Sequence, residues 1–176
     1  MDMSREAPPQ GRRPGKKSIA PALCNILGTL VLVSAILVCL PAVVPQALGY
    51  EVFCVVSGSM EPGIPVGSAV FVKGMAPMEI EKGDVIAFRS RDSVITHRVV
   101  INHKVEGEFT TKGDANEGED PGRVPYDALL GKVEYHVPAL GDVLAVLTSV
   151  VGKVYLLAFA ACGTMLILLA GRLRQR

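Results

Sequence analysis

Apolar residues follow two different patterns along this chain. No charged residue occurs between Lys17 and Glu51, a gap of 33 residues, and its stretch 26–40 is mostly aliphatic. A second uncharged run of 18 residues fills 154–171, between Lys153 and Arg172. A helix needs about 20 predominantly apolar residues to cross a bilayer, so the first gap is long enough and the second is near the lower limit. Lys153 and Arg172 can snorkel toward the interfaces and extend its reach. Pro41 and Pro45 predict that the first helix ends or kinks near one interface, because proline has no N–H to donate and crowds the preceding turn.

Between these runs the pattern shortens to strand length. Val/Ile/Phe-rich segments at 51–56, 68–73, 84–89, 94–101, 108–112 and 131–137 are separated by Gly, Pro and Asp. Such segments read as strands and their punctuation as turns. No stretch here has a helical period, and 118–125 is a loop by composition. The expected architecture is a mainly β domain flanked by two transmembrane helices. Its boundaries are a disordered basic tail over 1–17, a helix with a Pro-rich end over 18–48, a β-rich domain over 49–145, a second helix over 146–171 and a basic tail over 172–176. Tryptophan is absent and aromatics are few, so Val and Ile are expected to fill the core. The first apolar run is longer than the roughly 7–15 residues of a cleaved signal's apolar core, which favours its retention.

Charge orients this arrangement. The overall net charge of +1 hides a segregation: 1–17 carries +3, 172–176 carries +3, and 51–153 carries −5. Short basic flanks favour the cytoplasmic side, so both termini are expected inside and the middle domain outside a cell membrane. Cysteine adds little. Cys24, Cys39 and Cys162 lie in or beside the apolar runs and Cys54 is alone in the middle domain, so no disulfide within that domain and no Cys–His metal site is expected.

Candidate chemistry begins at Ser57-Gly58-Ser59-Met60-Glu61-Pro62, directly after an apolar strand. Glycine frees the backbone there, so Ser59 can be presented at a strand end, with Ser57 aiming a second donor at the same place. An ordinary turn explains the same six residues, since Ser and Gly are common in turns. His97 weighs against that plain reading. Strand alternation puts it on the face of Ile95 and Val99, and histidine has the basicity to deprotonate a serine near neutral pH. A carboxylate is then needed to hold the far imidazole nitrogen. Asp114 and Asp120 both qualify, and spacing does not choose between them. The acidic loop that contains them matches no complete calcium loop, and no metal or cofactor is expected. His103 and His136 lack comparable surroundings and receive no role.

Four collinear motifs resemble those of type I signal peptidases, in the serine–histidine branch of the endoplasmic reticulum, archaea and some Gram-positive bacteria. They are Ser57-Gly58-Ser59-Met60-Glu61-Pro62, Gly83-Asp84-Val85-Ile86-Ala87-Phe88, Thr96-His97-Arg98, and Thr111-Lys112-Gly113-Asp114-Ala115-Asn116. The resemblance covers about residues 51–137 and implies a signal-peptidase-like β fold. It implies Ser59 as nucleophile, with the oxyanion held by Ser57 and the Ser59 N–H, and His97 as base where other branches carry lysine. The acid maps onto Asp114 or Asp120, with Asp120 favoured, and Glu119-Asp120 stands where an Asp-Asp pair is common. Asp84 belongs to a motif that is mainly structural.

The resemblance further implies a serine endopeptidase that removes signal peptides from exported preproteins. Expected partners are those signal peptides, the lipid bilayer and the secretion translocon, with no nucleic acid. Two rivals share parts of this pattern. A non-catalytic membrane-tethered β domain that binds a protein needs neither Ser59 nor His97. A LexA-like self-cleaving repressor needs a DNA-binding domain, for which 1–17 is too short.

Overall fold

A computed structural model describes residues 19–174. The tail expected over 1–17 lies outside the described residues, as do residue 18 and the last two residues of the tail expected over 172–176. Two long helices, α1 (Ala20–Ala47) and α3 (Val150–Arg174), pair with each other at the two ends of the chain. Glycines make that pairing close: a Cβ at Gly28 would lie 2.7 Å from the Gly163 carbonyl oxygen. Both helices are long and apolar enough to cross a membrane, and little of either is buried. The core helix of a water-soluble domain would instead be mostly buried.

The two apolar segments fold differently. Pro41 and Pro45 lie inside α1, which continues through both to Ala47. The second apolar segment is split. A short helix, α2 (Leu140–Thr148), is separated from α3 by Ser149 in an extended conformation (φ −64°, ψ 158°). So the helix expected over 146–171 begins at Val150, and it runs on through Arg172 to Arg174 where a tail was expected.

The middle of the chain forms one seven-stranded sheet in the order β1-β2-β7-β3-β4-β5-β6. Its strands are β1 (Tyr50–Cys54), β2 (Ala69–Lys73), β3 (Val85–Ser90), β4 (Ser93–His103), β5 (Glu108–Lys112), β6 (Val124–Pro125) and β7 (Leu129–Val137). Every neighbouring pair is antiparallel. The six expected segments all appear within a few residues of their expected ends. Two corrections apply: Val124 and Pro125, read as loop, pair with β5, and α2 is helical where no helical period was found.

Alternation along β3 feeds two apolar clusters. Ile86 and Phe88 join Ile80, Val99, Phe109 and Val124, whereas Ala87 between them joins Met60, Ile64, Val70 and Val72. Successive side chains of a strand point to opposite faces, so one strand supports both. Phe109 and Met60 are the largest fully buried side chains, so Val and Ile do not fill the core alone. Met60 anchors the segment that follows β1 and thereby fixes the turn that carries Ser59.

Candidate active site

Ser59 lies in a single 3-10 turn, Gly58–Met60, immediately beyond β1. The buried Met60 side chain holds one end of this turn in the core. The Ser59 carbonyl is held from outside by the Ala115 N–H at 2.9 Å. Gly113 makes that approach possible, because a Cβ there would stand 2.6 Å from the Ser59 carbonyl oxygen. The loop after β5 therefore lies directly against the Ser59 turn.

His97 enters from β4, opposite Ile86 of β3. It is buried, and the edge of its ring faces Phe88 with centroids 6.4 Å apart. Its Nε2 lies 3.2 Å from Ser59 Oγ and its Nδ1 lies 2.6 Å from Asp120 Oδ2. These separations are within hydrogen-bonding range. Ser59 and Ser57 hydroxyl oxygens are 3.5 Å apart, so Ser57 borders the same point.

Asp114 goes elsewhere. It is bound by Arg98, whose Nε donates to Oδ1 at 2.8 Å and whose Nη2 donates to Oδ2 at 2.6 Å. The Arg98 guanidinium holds the Asp114 carboxyl below its usual range, and Asp114 in turn raises Arg98. His97 and Arg98 are consecutive on β4 and so point to opposite faces, each taking a different carboxylate. This sorting answers the question that spacing left open: Asp120 meets the imidazole and Asp114 does not.

Thr111 is a component that received no role from the sequence. Fully buried on β5, it donates its hydroxyl to Asp120 Oδ2 at 2.7 Å, and its carbonyl accepts the Asp120 N–H at 2.8 Å. The signal was present, since alternation puts Thr111 on the inward face with Phe109, where a lone hydroxyl needs a polar partner. With Oδ2 accepting from Thr111, His97 Nδ1–H is the matching donor, which leaves the Nε2 lone pair facing Ser59. His103 bonds instead to Thr110 at 2.9 Å, and His136 pairs with Val70 in the sheet, so neither joins this group. Among the described residues no cluster of His, Cys, Asp and Glu is arranged to hold a metal ion.

A groove of about 320 Å³ opens beside Ser57 and Ser59. Its walls come from Phe53 of β1, from Val55 and Val56 just past it, and from Val94, Ile95 and Thr96 at the start of β4. β1 is an edge strand, and the start of β4 pairs only with β3, since pairing with β5 begins at Arg98. Both walls thus carry strand backbone with an unused ladder side.

No protein-family model matches the chain. It is 42% identical over 81 residues to signal peptidase I W of Bacillus subtilis, covering 43% of this chain and 42% of that protein. It is 32% identical over 98 residues to the human signal peptidase complex catalytic subunit SEC11C, covering 53% of this chain and 51% of that one. The chain thus spans about half the length of these two curated relatives. The match to the signal peptidase complex catalytic subunit SEC11 of Ajellomyces capsulatus is more extensive: 30% identity over 164 residues, 75% of this chain and 87% of the relative. With that coverage, and with Ser59 and His97 of two of its motifs brought within 3.2 Å of each other, the chain belongs to the type I signal peptidases, in the branch shared by the endoplasmic reticulum and Gram-positive bacteria.

Proposed function

We propose that this protein is a membrane-embedded serine endopeptidase that removes signal peptides from exported preproteins. The observation that carries the reading is the His97 imidazole, within reach of Ser59 Oγ at 3.2 Å and of Asp120 Oδ2 at 2.6 Å. His97 Nε2 takes the hydroxyl proton as Ser59 Oγ bonds to the substrate carbonyl carbon. The Ser59 N–H and the Ser57 hydroxyl donate to the oxygen on which charge develops. Asp120 stabilises the imidazolium and keeps its tautomer. The tetrahedral species collapses, the C–N bond breaks, and His97 protonates the leaving amine. Water, deprotonated by His97, then hydrolyses the acyl-enzyme and restores Ser59.

The groove suits an extended peptide. A chain laid between β1 and the start of β4 can complete their unused hydrogen-bonding edges and bring one carbonyl to Ser59. Small residues before the scissile bond are the specificity expected from the family.

Two spans hold the domain at both ends, with the termini in the cytoplasm and the groove outside, as the basic flanks favour. A preprotein whose apolar signal lies in the same bilayer is confined to the same plane, which raises its effective concentration. The secretion translocon, which delivers such chains, is the expected neighbour.

The test is cleavage by the purified full chain in liposomes. A preprotein is supplied and the new N-terminus is read by mass spectrometry. Wild type is expected to cut once after the signal, and Ser59→Ala and His97→Ala to leave the preprotein intact. Cleavage by Ser59→Ala at the wild-type rate overturns the reading.

A further inference from the structure

The pairing of α1 with α3 supplies a common depth scale. Gly28 and Gly163 face each other, and farther along Ala35 and Leu156 border one cleft. Continuing that antiparallel register, Val150 at the start of α3 stands level with Pro41 of α1. α1 runs on to Ala47, about 9 Å beyond that level at 1.5 Å per residue. α2 packs against α1, α3, β1 and β2, and its C-terminal end lies beside the first turn of α3, where a Cβ at Gly152 would stand 2.0 Å from the Val146 carbonyl oxygen.

One side of α2 is fastened to the β domain. Leu144 is buried, and a Cβ at Gly141 would lie 2.4 Å from the Ser68 carbonyl oxygen. The Cys54 thiol donates to the Gly141 carbonyl at 3.2 Å, and the Asp142 N–H donates to the Gly67 carbonyl at 3.3 Å. The opposite side is apolar and open. Val143 is 51% exposed and Val146 64% exposed, and no charged residue occurs from Val143 to Gly152. Leu48, just after α1, and Val150 and Val151, at the start of α3, are exposed as well.

Three features near the ends of the spans identify what covers it. The surface continues directly into both spans, through Leu48 after α1 and through Ser149 into α3. Tyr50 and the exposed Tyr135 lie beside each other, with centroids 5.9 Å apart, and aromatics of this kind gather at membrane–water boundaries. Lys73 sits over the Tyr50 ring at 5.7 Å with its side chain half exposed, and Lys153 follows in the first turn of α3. An apolar face between the ends of two spans, with tyrosines and Lys73 just past α1 and Lys153 at the start of α3, matches the headgroup–acyl boundary of a bilayer.

We propose that α2 is an interfacial helix, with its Val143–Val146 side embedded in the lipid surface that α1 and α3 cross. The inference rests on the reading of those two helices as spans. Its consequence concerns the groove: Cys54, bonded to α2, is five residues before Ser59, so α2 fixes the nucleophile at the membrane surface.

The absence of tryptophan from the chain makes the test direct. Single reporters V146W, L157W in α3 and V105W in the β4–β5 hairpin are each placed in the full chain. Each is reconstituted in phosphatidylcholine liposomes brominated at shallow or deep acyl positions. V146W is expected to emit at short wavelength and lose emission chiefly with shallow bromines. L157W is expected to lose it with deep bromines, and V105W with neither. Should V146W misfold, V143W gives the same reading. Water-like emission from V146W or V143W without quenching, while L157W is quenched, overturns the inference and leaves the spans intact. The same holds for buried-type emission that no bromine quenches, the signature of a protein partner. Loss of quenching at L157W as well overturns the span reading and the inference together. A functional arm uses V146D, expected to lose processing of a bilayer-embedded preprotein severalfold while still cutting a short soluble peptide at the wild-type rate.

Discussion

Thr111 donates its buried hydroxyl to Asp120 Oδ2 at 2.7 Å, the same oxygen that lies 2.6 Å from His97 Nδ1. One carboxylate oxygen therefore meets both groups, and its direction is fixed before any substrate arrives. A bond to a charged acceptor contributes about 1.5–3 kcal/mol, and 1.4 kcal/mol is tenfold in rate. Thr111→Val, which keeps the shape and removes the hydroxyl, is expected to lower kcat by about tenfold with KM little changed. Thr111→Ser is expected to restore most of the rate. Steady-state cleavage kinetics check this, and a rate loss in Thr111→Ser equal to that in Thr111→Val would point to packing alone.

The two candidate carboxylates separate experimentally. Asp120→Asn puts an amide where His97 needs an acceptor, and such a change in a serine–histidine–aspartate site costs about four orders of magnitude in kcat. Asp114→Asn leaves the His97–Asp120 contact and breaks the two-pronged contact from Arg98. Its activity is expected to fall far less, with a measurable drop in thermal midpoint as its main effect. Parallel rate and unfolding measurements distinguish them, and equal rate losses would contradict the division of labour on β4.

The Arg98–Asp114 pair also predicts a pH dependence of stability. Arg98 lowers the Asp114 carboxyl, so the folded form holds its proton less tightly than the unfolded chain does. That contribution is fully present above the unfolded value near pH 4, and is lost as pH falls through the lower folded value. Arg98→Gln is expected to be less stable than wild type above about pH 4 and to converge with it in stronger acid. Denaturant unfolding of both proteins in one detergent across this range tests the sign. A gap that stays constant down to the lowest pH would mean that the ion pair is not its source.

Much of this arrangement can be read from residues alone, for identifiable reasons. Strand alternation around His97 and the position of Ser59 after an apolar strand depend on local pattern, and both survive folding unchanged. The choice between Asp114 and Asp120 does not. Both follow β5 closely, and only the path of the loop decides which one reaches the face of His97 and which the face of Arg98. α2 was hidden for another reason. It merges into the apolar stretch before α3, and the break at Ser149 carries neither Pro nor Gly. Pro41 and Pro45 lie inside α1 near its end, where a long apolar helix packed on a partner tolerates prolines that would end a short exposed one.

Gly113 shows how little room the Ser59 turn has. A Cβ at this position would meet the Ser59 carbonyl oxygen at 2.6 Å and Asn116 Nδ2 at 2.8 Å. The amide of Asn116 can rotate away, but the Ser59 carbonyl belongs to the turn itself and is bonded to the Ala115 N–H. Gly113→Ala must therefore push the Ser59 turn, and with Ser59 as the proposed nucleophile a displacement of about 1 Å costs on the order of 100-fold in rate. The buried Met60 anchor is untouched, so the fold is expected to persist with a small loss of stability. Gly122→Ala serves as the control, since a Cβ there meets nothing within 4 Å. Cleavage rate and thermal midpoint measured together decide the matter. Full activity in Gly113→Ala would mean that the loop after β5 yields before the Ser59 turn does, and that the turn is not positioned by that contact.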